Sequence, residues 1–114
     1  MRPDGVAAER LAQRYLEARG LTLVERNYRC RFGEIDLVMR DGHTLVFVEV
    51  RLRTHSGFGG AAASITGAKR GRLLRAARHY LAGLERAPQC RFDAVLLAGP
   101  SDSAIEWLRG AFGE

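Results

Sequence analysis

Gly33-Glu34-Ile35-Asp36-Leu37-Val38-Met39-Arg40, then Asp41-Gly42, then His43-Thr44-Leu45-Val46-Phe47-Val48-Glu49-Val50-Arg51-Leu52-Arg53 is the stretch that decides the fold. Two runs rich in β-branched and apolar residues flank an Asp-Gly pair, a strong short-range signal for two antiparallel strands joined by a tight turn. The strands are expected over Glu34 to Arg40 and His43 to about Arg53. With Asp41 and Gly42 as the central turn residues, Arg40 faces His43, Asp36 faces Phe47 and Glu34 faces Glu49. Side chains alternate, so Ile35, Leu37 and Met39 are expected to share a buried face with Val46, Val48, Val50 and Leu52. The opposite face is mixed, with Glu34, Asp36, Glu49, Arg51 and Arg53 beside Val38, Leu45 and Phe47.

On that mixed face Asp36 and Glu49 become diagonal neighbours, about 7 to 8 Å apart at the backbone. Their carboxylates can converge on one ion, and two or three carboxylates with water form the hard oxygen environment that Mg²⁺ or Mn²⁺ prefers. Like charges held so close repel unless a cation lies between them. Arg31, Arg51 or Arg53 can also supply that cation, in which case the acids belong to a surface ladder. A three-residue turn would place Asp36 and Glu49 on opposite faces unless a bulge restored the register.

Working outward, Asp4 to Arg19 reads as a helix with Asp4 as N-cap, Ala8, Leu11 and Tyr15 on its apolar stripe and Gly20 as its stop. Leu21 to Tyr28 reads as a first strand. Downstream, Thr54 to Ala63 is rich in Gly and small residues and reads as a loop. A second helix is expected from Ser64 or Thr66 to Leu84, burying Leu73, Leu74, Ala77, Tyr80, Leu81 and Leu84, with Pro88 beyond its end. Arg91 to Ala98 is a nearly continuous apolar strand, and Ala104 to Leu108 a short final one. The order is αβββαβ with room for one more strand, in a single domain over residues 1 to 114.

With 114 residues of which 46% are hydrophobic, the chain can bury one core. No window approaches the roughly 18 apolar residues of a membrane span, and the charged N-terminus is unlike a signal segment, so a cytoplasmic location is expected. Cys30 and Cys90, far apart and without a CxxC spacing, are expected as reduced, buried thiols rather than a zinc site. Scattered histidines form no triad with a Ser or Cys. Gly57-Phe58-Gly59-Gly60 imitates a dinucleotide fingerprint, but more Gly and Ala follow before any helix, so the Rossmann context fails.

Net charge is +5 and the isoelectric point about 10.0. Between Arg51 and Arg91 stand nine Lys and Arg against one acid, Glu85, which leaves the remainder of the chain net acidic. Such asymmetry points to a cation-binding site beside a phosphate-binding surface. Lys69, Arg72, Arg75 and His79 recur at helical spacing with Arg70 and Arg78 nearby, a stripe suited to a phosphate backbone. Arg53 extends that basic surface from the third strand.

Taken together, Gly33-Glu34-Ile35-Asp36-Leu37-Val38, Phe47-Val48-Glu49-Val50-Arg51-Leu52-Arg53, Phe58-Gly59, Lys69, Ala77-Arg78-His79-Tyr80-Leu81 and Arg91-Phe92-Asp93 resemble the YraN (UPF0102) family. These small bacterial proteins are grouped with the restriction-endonuclease-like, or PD-(D/E)xK, superfamily, which includes archaeal Holliday-junction resolvases. The resemblance covers about Gly5 to Leu97. It implies an α/β fold with a restriction-endonuclease-like core, a mixed sheet flanked by helices. It further implies that Asp36 and Glu49 are the motif acids and that Glu9, otherwise a solvated helix glutamate, is a third metal ligand. The motif normally ends in lysine, whereas this chain has Glu49-Val50-Arg51. A guanidinium stays protonated, so Arg51 can stabilise a pentavalent anionic transition state but cannot take a proton from water. Lys69, the chain's only lysine, can contact phosphate or reach the site in place of the missing one.

The expected function is metal-dependent cleavage of DNA phosphodiester bonds, in branched or junction DNA, with Asp36, Glu49, Arg51 and Glu9 as catalytic residues and Mg²⁺ or Mn²⁺ as cofactor. Junction cutting favours a homodimer. A non-catalytic nucleic-acid-binding protein of the same fold is the alternative, and a scaffold for another complex a third reading.

Overall fold

The computed structural model describes residues 3–52, 67–98 and 105–112. Helix α1 (Pro3–Ala18) leads into strands β1 (Thr22–Cys30), β2 (Gly33–Asp41) and β3 (Thr44–Leu52), then helix α2 (Gly67–Ala82), β4 (Cys90–Leu97) and β5 (Ile105–Phe112). The five strands form one mixed sheet in chain order, with β3 and β4 parallel and every other pair antiparallel. A parallel pair needs a crossover, and α2 supplies it. The expected loop over Thr54 to Ala63, the Gly57 to Gly60 decoy and Arg53 lie outside the described residues, as do Ser64 and Thr66.

Helix α1 starts at Pro3 rather than being capped at Asp4, as suits a residue whose φ is already helical. Its end is a Schellman turn: Leu21 N–H donates to Leu16 O (3.1 Å) and Gly20 N–H to Glu17 O (3.1 Å), with Gly20 at φ 100°. Leu16 and Leu21 are both buried in the core that this turn closes. The buried stripe is Ala8, Ala12 and Leu16, with Leu11 and Tyr15 half-buried at its margin. Small residues at the centre of the stripe let the helix backbone approach the sheet.

Two cores lie on opposite faces of the sheet. Beneath α1, Ala8, Ala12 and Leu16 pack on Leu37, Met39, Val46, Val48, Val95 and Leu97. Beneath α2, Leu73, Ala76 and Ala77 pack on Ile35, Val38, Leu45, Phe47 and Phe92. The face expected to be mixed is therefore buried over Val38, Leu45 and Phe47, with its polar residues confined to one end. Two helices and one sheet make three layers, and central strands covered on both sides read as continuous apolar runs rather than clean alternation.

The hairpin register differs from expectation. Asp41 pairs with Thr44 and Val38 with Phe47, so the turn residues are Gly42 and His43 instead of Asp41 and Gly42. Gly42 has φ 63° and His43 does not share the positive φ, which matches a turn with Gly at its first central position. The slip is two residues, so each side chain of β3 keeps its face. Asp36 consequently does not face Phe47, nor Glu34 Glu49. Ile35 also departs from expectation: it packs beneath α2, across the sheet from Leu37 and Met39.

Other boundaries shift for identifiable reasons. Leu52 and Leu84 are 44% and 40% exposed, at the end of β3 and beyond the last turn of α2. Strand β5 is longer than expected and continues through Gly110 at φ 61°. Cys30 is half-buried and Cys90 exposed, neither in a disulfide, so neither is the buried thiol expected. Among the described residues no helix is long and apolar enough to cross a membrane.

Candidate metal and phosphodiester site

The site arises where β2 separates from β3. Pairing between β2 and β3 runs from Asp41↔Thr44 to Leu37↔Val48 and stops there. On the other side, pairing of β1 with β2 passes from Arg26↔Leu37 to Tyr28↔Ile35 and skips Asn27 and Asp36. Asn27 has φ 54°, a left-handed conformation that asparagine tolerates better than most residues. The local turn explains the change of face: Leu37 packs with the α1 core, while Tyr28 and Ile35 pack with the α2 core.

Asp36 fills the gap. Its Oδ2 accepts a hydrogen bond of 2.8 Å from Val50 N–H, a carboxylate standing in for the next rung of the sheet. Beyond it a cavity of about 500 Å³ opens, lined by Glu9 of α1, Gly33, Glu34 and Asp36 of β2, Glu49 and Arg51 of β3, and Lys69 and Arg72 of α2. Gly33, at φ 149°, lies so close to α2 that an added Cβ would come 3.4 Å from Arg72 Cβ. That approach draws the first turns of α2 over the acids.

Asp36 is 8% exposed and Glu49 4%. Burial pushes the Asp36 carboxyl up to about 8, reinforced by the charges of Glu49 and Glu9 and by a proton-sharing hydrogen bond with Glu49; the Val50 N–H opposes the shift. Glu9 is also raised, first by burial and then by the charges of Glu34 and Glu49, against a hydrogen bond from Asn27 and the charge of Arg29. Glu34, by contrast, lies outward in an exposed ion pair with Arg29 (3.1 Å).

Glu49 is held by two cations. Lys69 Nζ lies 2.8 Å from its Oε2, and Arg51 Nε lies 3.2 Å from the same oxygen. The Arg51 contact lacks hydrogen-bond alignment, leaving that Nε without a proper acceptor, so Lys69 is the better-directed partner. Among the described residues no group of three or more His, Cys, Asp or Glu is arranged to hold a metal ion. Glu49 closes on Lys69 and Arg51 instead.

The expected site residues thus separate. Glu9, Asp36, Glu49 and Arg51 line one cavity, and Lys69, expected chiefly as a phosphate contact, joins them. On α2, Arg72, Arg75 and Arg78 are exposed and Arg70 is half-buried. His79, also exposed, is engaged by the Tyr28 hydroxyl and meets the edge of Phe32 at 5.8 Å between centroids. Asn27 was not anticipated, although an Asn within a strand pattern is the kind of residue that tolerates a turned-over backbone.

A family model described as "Uncharacterised protein family UPF0102" matches residues 8–97, from the buried stripe of α1 to the last residue of β4, and so includes every residue of the cavity. A UPF0102 protein of Nitrosomonas europaea is 61% identical over 110 residues, covering 96% of this chain and 93% of its own. One from Nitrosospira multiformis is 60% identical over 112 residues, covering 98% and 94%. One from Methylobacillus flagellatus is 57% identical over 112 residues, covering 98% of each chain. With a family match across both cores and identity this high over nearly whole chains, the protein belongs to the UPF0102 family.

Proposed function

We propose that this protein is a metal-dependent nuclease with a restriction-endonuclease-like core, acting on DNA phosphodiester bonds in branched or junction substrates. One observation carries the reading: Glu9, Asp36 and Glu49 from three elements meet Lys69 and Arg51 in one cavity where β2 and β3 part. A surface ladder of acids and arginines would need neither burial nor three elements.

The chemistry of the donor set, rather than its arrangement, suits Mg²⁺ or Mn²⁺. Its oxygens are hard, and burial first, then the charges of Glu49 and Glu9, raise Asp36, a cost of ionisation that a divalent cation would offset. Asp36, Glu49 and Glu9 would hold the ion, which when bound supplies Lewis-acid polarisation of the phosphoryl group and acidifies a water. The chain's own residues do the rest. Lys69 takes the place of the motif lysine, its ammonium positioning the attacking water against Glu49. Arg51 holds negative charge as it develops on the phosphorus oxygens. Exposed Arg72, Arg75 and Arg78 neutralise the substrate backbone beside the cavity.

The ion pairs on Glu49 favour a second reading, a nucleic-acid-binding protein of the same fold in which Lys69 and Arg51 replace the metal. Cleavage of labelled branched, single-stranded and duplex DNA with Mg²⁺ or Mn²⁺, comparing wild type with Asp36→Ala and Glu49→Ala, separates the two. Metal-dependent cutting lost in both variants supports the nuclease. Salt-sensitive binding without cutting supports the binding protein, and cutting that survives both substitutions removes the proposed site.

A further inference from the structure

Arg10, Gln13 and Arg14 of α1 and Arg26 of β1 line a second concavity of about 340 Å³. Arg10 and Arg14 stand one helical turn apart, a spacing at which like charges repel, and Arg26 adds a third guanidinium from the strand. All three are exposed, and among the described residues none forms an ion pair, whereas Arg29, Arg51, Arg91 and Arg109 each meet a carboxylate. Gln13 adds an independent mark. Its Nε2 donates to Glu17 Oε2 (3.2 Å), while its Oε1 is buried with no donor.

We infer that this concavity binds a phosphate group. Guanidinium forks match phosphate oxygens in pairs, and three of them exceed what one carboxylate ligand would satisfy. A bound phosphate would cancel the repulsion and hold the guanidiniums in place, so that an arginine N–H can turn to the orphan Gln13 Oε1. The location adds a connection to the acid cavity: Arg10 follows Glu9, Arg26 precedes Asn27, and Asn27 hydrogen-bonds Glu9. The two sites are therefore linked through neighbouring residues of both elements. A phosphodiester strand and a free phosphate compound share the chemistry recognised here. The inference goes beyond the nuclease reading and holds whether or not the acid cavity cuts.

The test uses wild type and the Arg14→Ala/Arg26→Ala double variant in EDTA, so that cleavage plays no part. Inorganic phosphate is titrated at constant ionic strength while the arginine Nε–Hε resonances are followed. Saturable shifts at Arg10, Arg14 and Arg26 are expected, and their loss in the variant. Single-stranded oligonucleotide affinity is measured in parallel against salt. A drop of about tenfold, with the salt slope lower by about 0.7 for each phosphate that the variant no longer neutralises, assigns the site to a polynucleotide strand. Saturable phosphate binding with equal oligonucleotide affinity in both proteins assigns it to a free phosphate compound. Shifts that do not saturate, or that persist in the variant, overturn the inference. Circular dichroism checks the fold, and Arg26→Gln alone serves as a milder variant with the same expected loss.

Discussion

Lys69 Nζ stands 2.8 Å from Glu49 Oε2, so α2 delivers an ammonium to the acid beside which the chain itself carries Arg51. A lysine can exchange a proton where a guanidinium cannot, and the two cations are therefore not equivalent. Lys69→Met is expected to lower cleavage about 100-fold, as loss of a group that positions the attacking water can, and Arg51→Met to lower it less. Removing the ammonium also leaves Glu49 under-compensated, at a cost of about 1 to 3 kcal/mol in urea unfolding. Glu49→Gln in the Lys69→Met background should recover part of that loss. Equal rate losses for the two cations would reject the assignment.

Asp36 makes stability depend on pH in an unusual direction. Its carboxyl sits at about 8 in the folded protein against 3.8 as a free group. Between these values the folded state holds a proton that the unfolded state has released, so stability falls as pH rises through the window, with the full penalty above about 8. At about 1.4 kcal/mol per unit, the penalty is of the order of a few kcal/mol. Asp36→Asn keeps an oxygen for the Val50 N–H and removes the charge. Urea midpoints of the two proteins should lie close together near pH 5, with the variant clearly more stable near pH 9. Parallel curves would mean that Asp36 is ionised throughout.

How much of this is legible in the sequence follows from what local patterns record. The two strands and their Asp-Gly signal are readable because turn chemistry is local, and the slip of two residues leaves Glu49 on its expected face. Lys69 is a candidate for the site, but its reach to Glu49 depends on how closely α2 approaches Gly33, a tertiary distance. The turnover at Asn27 and Asp36 is not readable, because alternation assumes an unbroken strand. It moves Ile35 to the other core and places Asp36 in the gap where the sheet opens.

Divalent cations should act on the same charge imbalance. Mg²⁺ or Mn²⁺ is expected to raise the melting temperature by several degrees near pH 8, as saturating ligands do, and to leave Asp36→Asn unmoved. Glu9→Gln should weaken metal affinity while lowering the Asp36 pKa, because one of the charges that raise it is gone. Isothermal titration and the pH dependence of unfolding read the two effects separately. Metal stabilisation that is unchanged in Asp36→Asn would place the ion elsewhere.

Asp93 forms a purely structural centre on the α1 side of the sheet. Fully buried, it accepts from Arg91 Nε (2.9 Å) and Nη2 (3.1 Å), Trp107 Nε1 (2.9 Å) and Gly110 N–H (3.0 Å). It occupies the irregularity between Phe92 and Ala94 where β4 and β5 change register. Asp93→Ala strips a buried carboxylate from its donors and should cost about 3 to 5 kcal/mol. Emission from Trp107, the chain's single tryptophan, should shift to the red as β5 loosens. Phosphodiester cleavage by the molecules that remain folded should be unaffected, and a specific loss of turnover would contradict a structural role.

Asn27 combines backbone and site in one residue. Its φ of 54° is costly for a β-branched side chain and free for glycine, while its side chain hydrogen-bonds Glu9. Asn27→Gly should therefore leave unfolding within about 0.5 kcal/mol of wild type, whereas Asn27→Val should cost about 1 to 3 kcal/mol. Metal affinity divides the two roles differently. The glycine variant keeps Asp36 in the gap but releases Glu9, so it should bind Mg²⁺ as weakly as Glu9→Gln does. The valine variant, by pulling β1 back toward regular pairing, should disturb Asp36 as well and bind still more weakly. If both variants bind metal like wild type, the turned-over strand serves packing alone and the link from Asn27 through Glu9 to the site fails.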